Sequence, residues 1–486
     1  MKLRDYQFQL ILEARRAAAE GNSRVLLYLP TGGGKTVIAA GLIKQYWSLG
    51  RSALFIVRQE PLIGQTIAKL EAVGCPCGVI KAGYTPDLTQ QVQVATIQTM
   101  NRRGLYPDAD LVILDEAHGA TAAQYDQVFA KYQQSLILGL TATPFRTKRS
   151  ESLKSRFDTL VGTLQSADLV ERGFLVPPVV YGWDKDALDL SQARTTQGDF
   201  NLADLAVACD RPEMIAAAVE EYQDRCPGRR AIAFTVSLEH SAHVAKAFNQ
   251  AGIPAETVDG STPPEERQAI YQRLRNCETL VVVSVGVLSE GFDEPSAEVG
   301  LMLRPTKSRG LWLQQVGRVL RPSPATGKAE AIILDQAGNT WRHGLPTDKI
   351  SLSLTEAPLD NGPGEAPVKL CPDCGTMVSA SLMLCPTCAH IFPPPAKASL
   401  TAKLTKLEAQ DLLERRLDYW WQVAESNFYS RGWIFHQFLA AYPTPTYEQF
   451  KSLGKKLGYK RGWAKHKYLE FYPEEAQEPS LVQVNY

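Results

Sequence analysis

Short, mainly apolar runs punctuate the first 335 positions: 25–29 (VLLYL), 53–57 (ALFIV), 92–95 (VQVA), 111–114 (LVIL) and 136–140 (LILGL). Longer stretches with helical spacing, or Gly-rich turns, separate them. Runs that do not alternate with polar residues fit strands covered on both faces, so the pattern predicts a parallel sheet between layers of helices. The rhythm restarts at 231–235 (AIAFT), 280–284 (LVVVS), 299–303 (VGLML) and 331–334 (AIIL), which predicts a second α/β domain with a seam at Pro177-Pro178. After residue 350 it stops.

SLSLTEAPLDNGPGEAPV (351–368) and FPPPAKAS (392–399) have linker composition. LTKLEAQDLLERRLDYWWQVAESNF (404–428) returns to helical spacing. The expected division is 1–178, 179–350, a linker 351–368, a cysteine-rich segment 369–392, a linker 393–400, a helical module 401–473 and a tail 474–486. Within that module the chain repeats itself, as RGWIFHQFLAAYP (431–443) and RGWAKHKYLEFYP (461–473). Arg, Gly, Trp, His, Leu, Tyr and Pro coincide, a degree of identity that marks a duplication.

Composition narrows the class. With 44% hydrophobic and 21% charged residues, the 486-residue chain reads as globular and as more than one core. No apolar run approaches the roughly 18–20 residues of a membrane span, so no membrane partner is expected. The start, MKLRDYQFQL, carries charges where a signal peptide needs an apolar stretch, which points to the cytoplasm. Lys and Arg together number 52, as do Asp and Glu, so overall charge selects no partner. Locally the balance breaks: residues 397–470 hold 13 Lys/Arg against 7 Asp/Glu. Nine cysteines, an odd number, argue against a disulfide framework, and five (75, 77, 209, 226, 277) read as buried thiols.

The chemistry starts at PTGGGKT (30–36), directly after the first apolar run and before a helical stretch. In such a loop Thr31, Gly32, Gly33 and Gly34 let successive N–H groups face phosphate oxygens, with the positive end of the helix behind them. Lys35 then reaches the β/γ-phosphates of ATP, and the Thr36 hydroxyl can hold Mg²⁺. The fully spaced motif would place a glycine at 29, where Leu29 stands. Taken alone, the loop is also compatible with a Gly-rich turn carrying an incidental lysine. LVILDEAH (111–118) argues against that, because an apolar strand there ends in two carboxylates. Asp115 is placed to hold the metal, and Glu116 to polarise an attacking water as general base.

With both motifs in hand the chain resembles a superfamily 2 helicase of the DEAH type, which implies two tandem RecA-like domains. LRDYQ (3–7) resembles the N-terminal glutamine motif, implying that Gln7 reads adenine. VRQEPLIGQ (57–65) and ATIQTM (95–100) resemble motifs Ia and Ib, implying strand contacts by Arg58 and Thr96. TATPF (141–145) and VGVLSEGFDEP (285–295) resemble motifs III and V. They imply coupling roles for Thr141, Thr143, Gly291 and Asp293, with His118 of the DEAH box. QQVGRVLRP (314–322) resembles motif VI, implying that Gln314 faces the nucleotide and that Arg318 and Arg321 act as arginine fingers. LMLRPTKSRGLWLQQVGRVLRP followed by AIILDQAGN, with the cysteine segment behind, resembles RadD-type bacterial DNA-repair helicases, and phage helicases are a second home. DNA, single-stranded or branched, is the implied track, with RNA as its alternative and a replication or repair protein as a further partner.

LCPDCGTMVSASLMLCPTCAHIF holds Cys371, Cys374, Cys385 and Cys388 as two CxxC knuckles. Four thiolates suit one tetrahedral Zn²⁺ at about 2.3 Å, closed and therefore structural. Rubredoxin-type iron uses the same knuckles. His390 reads as a bystander.

Two functions remain open for the basic repeat. Helix packing alone accounts for its Trp and Leu positions. Lysines among aromatics, here Lys460, Arg461, Trp463, Lys465 and Lys467, also suit phosphate contact with base stacking. For the whole chain the expectation is an ATP-dependent helicase or translocase. Its rivals are a duplex translocase that does not part strands and a nucleic-acid scaffold or loader switched by ATP.

Overall fold

Seven parallel strands form the first sheet: β1 (Arg24–Tyr28), β2 (Ala53–Val57), β3 (Gly78–Ile80), β4 (Val92–Thr96), β5 (Leu111–Leu114), β6 (Leu136–Thr141) and β7 (Thr159–Val161). Their order across the sheet is β3-β4-β2-β5-β6-β1-β7. The computed structural model describes residues 3–58, 61–144, 152–184, 187–196, 198–286, 294–354, 367–392, 406–426, 430–442, 444–460 and 462–473. Gly291, Asp293, Arg461 and the tail 474–486 lie outside them. The chain divides into two units, Met1–Phe392 and Pro393–Tyr486.

The second sheet begins with β8 (Pro178–Gly182). After an insertion bearing the small hairpin β9 (Thr195–Thr196) and β10 (Asp199–Phe200), it continues with β11 (Ala231–Phe234), β12 (Ala255–Val258), β13 (Val281–Ser284), β14 (Val299–Met302) and β15 (Ala331–Asp335). The order is β12-β13-β11-β14-β15-β8, again parallel. Strands β2, β4, β5, β11, β13, β14 and β15 are buried at every position, as covered parallel sheets require. Because the strands run one way, the loops after β1, β5 and β6 open on one edge of the first sheet. There β1 lies beside β6 and β6 beside β5, so the phosphate loop, the DEAH turn and TAT are neighbours.

The cysteine segment is no appendage on a string. Its hairpin, β16 (Val368–Leu370) and β17 (Met377–Ser379), lies against the edge strand β8 through an antiparallel bridge between Tyr181 and Thr376. Arg225 lies over the Tyr181 ring at 4.3 Å and donates through Nη1 to Cys374 O at 3.0 Å. A Cβ on Gly182 would come within 2.2 Å of Met377 Sδ, so a larger residue there would require the methionine side chain to move. An otherwise open sheet edge is covered.

Among the described residues, the second unit holds four helices: Lys406–Ser426, Arg431–Ala441, Tyr447–Lys456 and Trp463–Phe471. Each RGW segment supplies a helix that follows another helix, Arg431–Ala441 after Lys406–Ser426 and Trp463–Phe471 after Tyr447–Lys456. Both halves feed one core around Phe438, Phe450, Leu453 and Leu457. Trp463 presses on Gly454, where an added Cβ would meet Cε3 at 2.9 Å. Among the described residues, no helix is long and apolar enough to cross a membrane.

Candidate active site and cysteine cluster

Gly32 and Gly34 adopt φ values of 84° and 89°, which glycine tolerates without cost, and Gly34 caps the helix Lys35–Ser48. Gln7 sits directly beneath this loop. Its Nε2 donates to Gly33 O at 3.0 Å, beside Tyr6 OH on the same oxygen at 2.9 Å. A Cβ on Gly34 would fall 2.4 Å from Gln7 Nε2, so the glutamine motif and the loop fit one another by the absence of a side chain. Thr31 Oγ1 is buried without a hydrogen-bond partner among the described residues. A loop of left-handed glycines at a helix N-terminus, with one orphaned hydroxyl and a lysine at its end, fits a polyphosphate. Thr36 and Asp115 are the residues that would hold its Mg²⁺.

Glu116 occupies the left-handed region at φ 46°, a conformation that costs a non-glycine residue roughly 1–2 kcal/mol. Its neighbours stabilise it there. Lys35 Nζ lies 3.3 Å from Oε1 and His118 Nδ1 3.3 Å from Oε2, while Gln314 Nε2 donates to Oε2 at 3.4 Å. Burial alone would raise this carboxyl. The Lys35 ammonium, the hydrogen bond with His118 and the Arg318 guanidinium outweigh burial and hold it well below the usual carboxylate range. Asp115 is buried at the tip of β5, its N–H bonded to Ile56 O at 2.9 Å. Thr141 and Thr143 are buried, and Thr143 N donates to Thr141 Oγ1 at 3.0 Å, so this pair shapes the turn after β6.

The second domain enters through the helix Arg309–Val319. Residues 310, 314 and 317 share one face of it. Gly317 lies so near the phosphate loop that a Cβ would come within 2.5 Å of Thr31 Cβ. A Cβ on Gly310 would sit 3.4 Å from Thr143 Oγ1. Between them Gln314 reaches Glu116. Arg318 is buried, and Arg321 Cγ lies 3.7 Å from where a Cβ on Gly32 would stand. The expected nucleotide set is thus gathered, and two glycines to which the motifs assign no role determine how closely the domains approach. Their seven-residue spacing is a signal that helical periodicity could have shown.

Of the expected strand contacts, Arg58 is exposed beside Gln98, which donates to its carbonyl at 3.0 Å. Thr96 keeps its hydroxyl buried, donating to Thr99 Oγ1 at 2.8 Å at the start of a helix. The Trp463 ring is half buried against Gly454 and Phe450. Lys467 pairs with Glu470 at 2.7 Å, whereas Lys460 and Lys465 are exposed with no ion pair among the described residues.

The four cysteine sulfurs lie within 4.8 Å of one another. Cys371 and Cys388 are 3.6 Å apart, and Cys374 and Cys385 3.7 Å. Disulfides need about 2.05 Å, whereas the edges of a tetrahedron with bonds of about 2.3 Å measure roughly 3.8 Å. The cluster therefore fits Zn²⁺. The knuckles match: Gly375 N bonds Cys371 O and Ala389 N bonds Cys385 O, both at 2.9 Å, with both residues at positive φ. His390 is engaged with Asp373 at 2.7 Å, outside the set. Of the other cysteines, Cys277 departs from expectation, being exposed.

Residues 1–146 match the family of the type III restriction enzyme res subunit, and residues 213–323 match the helicase conserved C-terminal domain. A 51.5 kDa protein of a Lactococcus phage is 30% identical over 80% of this chain and 81% of its own length. IRC3 of Saccharomyces cerevisiae, which bears the name of an ATP-dependent helicase, is 30% identical over 66% of this chain, which spans about half of it (49%). The type ISP restriction-modification enzyme LlaBIII, solved bound to DNA, shares the fold at a TM-score of 0.51 and 22% identity, covering 68% of this chain and 27% of that one. A nucleotide site shared by two parallel-sheet domains, with both family matches laid across them, supports one conclusion: the chain belongs to the superfamily 2 helicases, ATP-dependent enzymes.

Proposed function

We propose that the chain is an ATP-driven DNA motor of the RadD or phage type, in which hydrolysis is shared by two domains and spent on moving along a strand. The observation that carries this reading is Gln314 of the second domain on Glu116 of the first. Lys35, Asp115 and Glu116 stand on one side of the cleft, with Gln314, Arg318 and Arg321 on the other. Closing the cleft completes the set, and an arginine supplied this way is worth about 10³–10⁵ in rate. Mg²⁺, when bound with the nucleotide, neutralises phosphate charge. Phosphates would draw Lys35 from Glu116, which frees that carboxylate to accept a proton from water. DNA as the track is supported by the DNA-bound structure that shares the fold. The phage relative and the run 301–322 support the narrower placement.

The test is ATPase turnover against single-stranded, duplex and forked DNA and RNA, alongside strand-displacement and triplex-displacement assays. Stimulation by DNA with strand displacement supports a helicase, and triplex displacement alone a duplex translocase. ATP binding without stimulated turnover would leave only a switched scaffold. Lys35→Ala with undiminished turnover would end the motor reading.

A further inference from the structure

The insertion between β8 and β11 belongs to none of the helicase motifs, yet it grips the start of the helix that carries Gln314 and Arg318. We propose that Asp199, on the β9–β10 hairpin, is a positioning residue for ATP hydrolysis, holding the loop 304–308 from which that helix begins. The proposal rests on the two-domain reading above.

The contacts form a short chain across the second domain. Asp199 Oδ2 accepts from Thr306 Oγ1 at 2.8 Å, and Oδ1 from Lys307 N at 2.6 Å. Thr306 is fully buried, and its remaining polar groups are all engaged. Its N–H donates to Asn339 Oδ1 at 3.0 Å, its carbonyl meets His343 Nε2 at 2.8 Å, and its hydroxyl also accepts from Ser308 N at 2.9 Å. Burial pushes the His343 imidazole down to about 4, so near neutral pH it is an uncharged donor. Asn339 donates through Nδ2 to Arg304 O at 3.0 Å, and its own N–H goes to Asp335 Oδ1 at 3.1 Å, at the end of β15. Ser308 then caps the helix, accepting from Leu311 N at 3.2 Å. The loop is thus tied to the sheet from inside by Asn339 and closed from outside by Asp199.

The hairpin is braced for that task. Arg194 holds Asp204 through two bonds of 2.9 Å, and Lys307 Nζ, bonded to Thr195 Oγ1, lies 4.7 Å from the centre of the Phe200 ring. What this fixes is a helix whose glycine face sits against Thr31 and Thr143. A shift at its first turn moves Gln314 and Arg318 together. Displacing reactive groups by about 1 Å can cost up to about a hundredfold in rate. Asp199 is assigned no contact with nucleotide or attacking water; it acts through Arg318.

The test is a double-mutant cycle in the full chain: Asp199→Ala, Arg318→Ala and both together, with DNA-saturated ATPase kinetics. Asp199→Ala should lower kcat about ten- to a hundredfold, with KM for ATP changed by less than about twofold. Asp199→Asn should recover part of the loss, because an amide oxygen still accepts from Lys307 N. In the Arg318→Ala background, Asp199→Ala should cost less than about twofold more, since coupled residues are not additive. Additive losses, or a raised KM with unchanged kcat, would overturn the positioning role alone. An unimpaired Arg318→Ala would overturn the two-domain reading and this proposal together. Should Asp199→Ala fail to fold in thermal melts, Asp199→Asn takes its place in the cycle, where additive losses overturn the role and non-additive ones support it.

Discussion

Lys35 Nζ stands 3.3 Å from Glu116 Oε1, so the end of the phosphate loop and the DEAH turn neutralise one another across the edge of the first sheet. A carboxylate held this low in pKa is a weak base until its cation is engaged elsewhere. Glu116→Gln keeps the size and the hydrogen-bonding capacity of the side chain but removes the base. ATP binding should therefore persist while turnover falls by about 10²–10⁴, the usual worth of a general base. Nucleotide-binding titration beside steady-state ATPase measurement checks both halves. Retained turnover would assign the proton to another group.

Gly317 and Thr31 supply a second test. A methyl at 317 would lie 2.5 Å from both Cβ and Cγ2 of Thr31, closer than carbon atoms approach. Gly317→Ala must push the second domain's helix off the phosphate loop. The expected result is a fall in kcat, on the order of a hundredfold for a displacement of about 1 Å, with the folding of each domain intact by melting. Gly310→Ala meets Thr143 at 3.4 Å, near ordinary contact, and should be far milder.

Which strands the sequence disclosed follows from burial. Every strand read from apolar runs is interior to its sheet. In the two parallel sheets the four that escaped, β3, β7, β8 and β12, are the four sheet edges. An edge strand need not be apolar throughout: β7 is half exposed at all three positions and β12 exposes Thr257. Pro178 opens β8, where an edge tolerates a missing N–H. The gathering of the motif residues at one cleft was legible because motifs of this kind place polar atoms where phosphate would lie. A motif gives an approximate location but not which way a hydroxyl turns: that of Thr96 is held by Thr99. Asp199 was invisible, since its partners lie over a hundred residues away and nothing local marks it.

Lys328 predicts a pH dependence. Its ammonium is buried, donating to Pro295 O at 3.3 Å and to Ala297 O, and burial pushes it from 10.5 down to about 7. Between those values the unfolded chain binds the proton and the folded one does not. This residue's contribution to stability is therefore full above 10.5 and is lost as pH falls towards 7. Urea melts of the native chain and Lys328→Met at about pH 6.5, 8 and 9.5 should show the native chain gaining on the variant as pH rises. A difference independent of pH would mean that the lysine stays protonated in the fold.

The cysteine cluster should report its metal through the sheet it covers. Cys374→Ser removes one of four thiolates, and the Cys374 carbonyl is also the acceptor for Arg225 at 3.0 Å. Metal analysis should find one zinc per native chain and a loss in the variant. Hydrogen exchange over 178–182 should quicken, because Thr376 no longer covers Tyr181. Unchanged exchange there would make the ribbon energetically separate from the second domain.

The helical repeats bear on grip. Trp433, Trp463, Phe438 and Tyr468 all contribute to one core, so packing accounts for the aromatics of both copies. What differs is charge. Lys456 is paired with Asp418 and Lys467 with Glu470, leaving Lys455, Lys460 and Lys465 exposed, with no ion pair among the described residues. The thirty-residue offset sets Glu425, Ser430 and Phe435 at the matching positions of the first copy. If these lysines meet phosphate, replacing all three by Ala should weaken DNA binding and reduce the slope of log affinity on log salt by about two to three, near 0.7–0.9 per contact. Basal ATPase should be unchanged, since the nucleotide site lies in the other unit. Removing 401–486 should do the same more strongly. An unaltered salt slope in both variants would confine the repeats to packing, with the motor's hold on its track lying entirely in the two sheet domains.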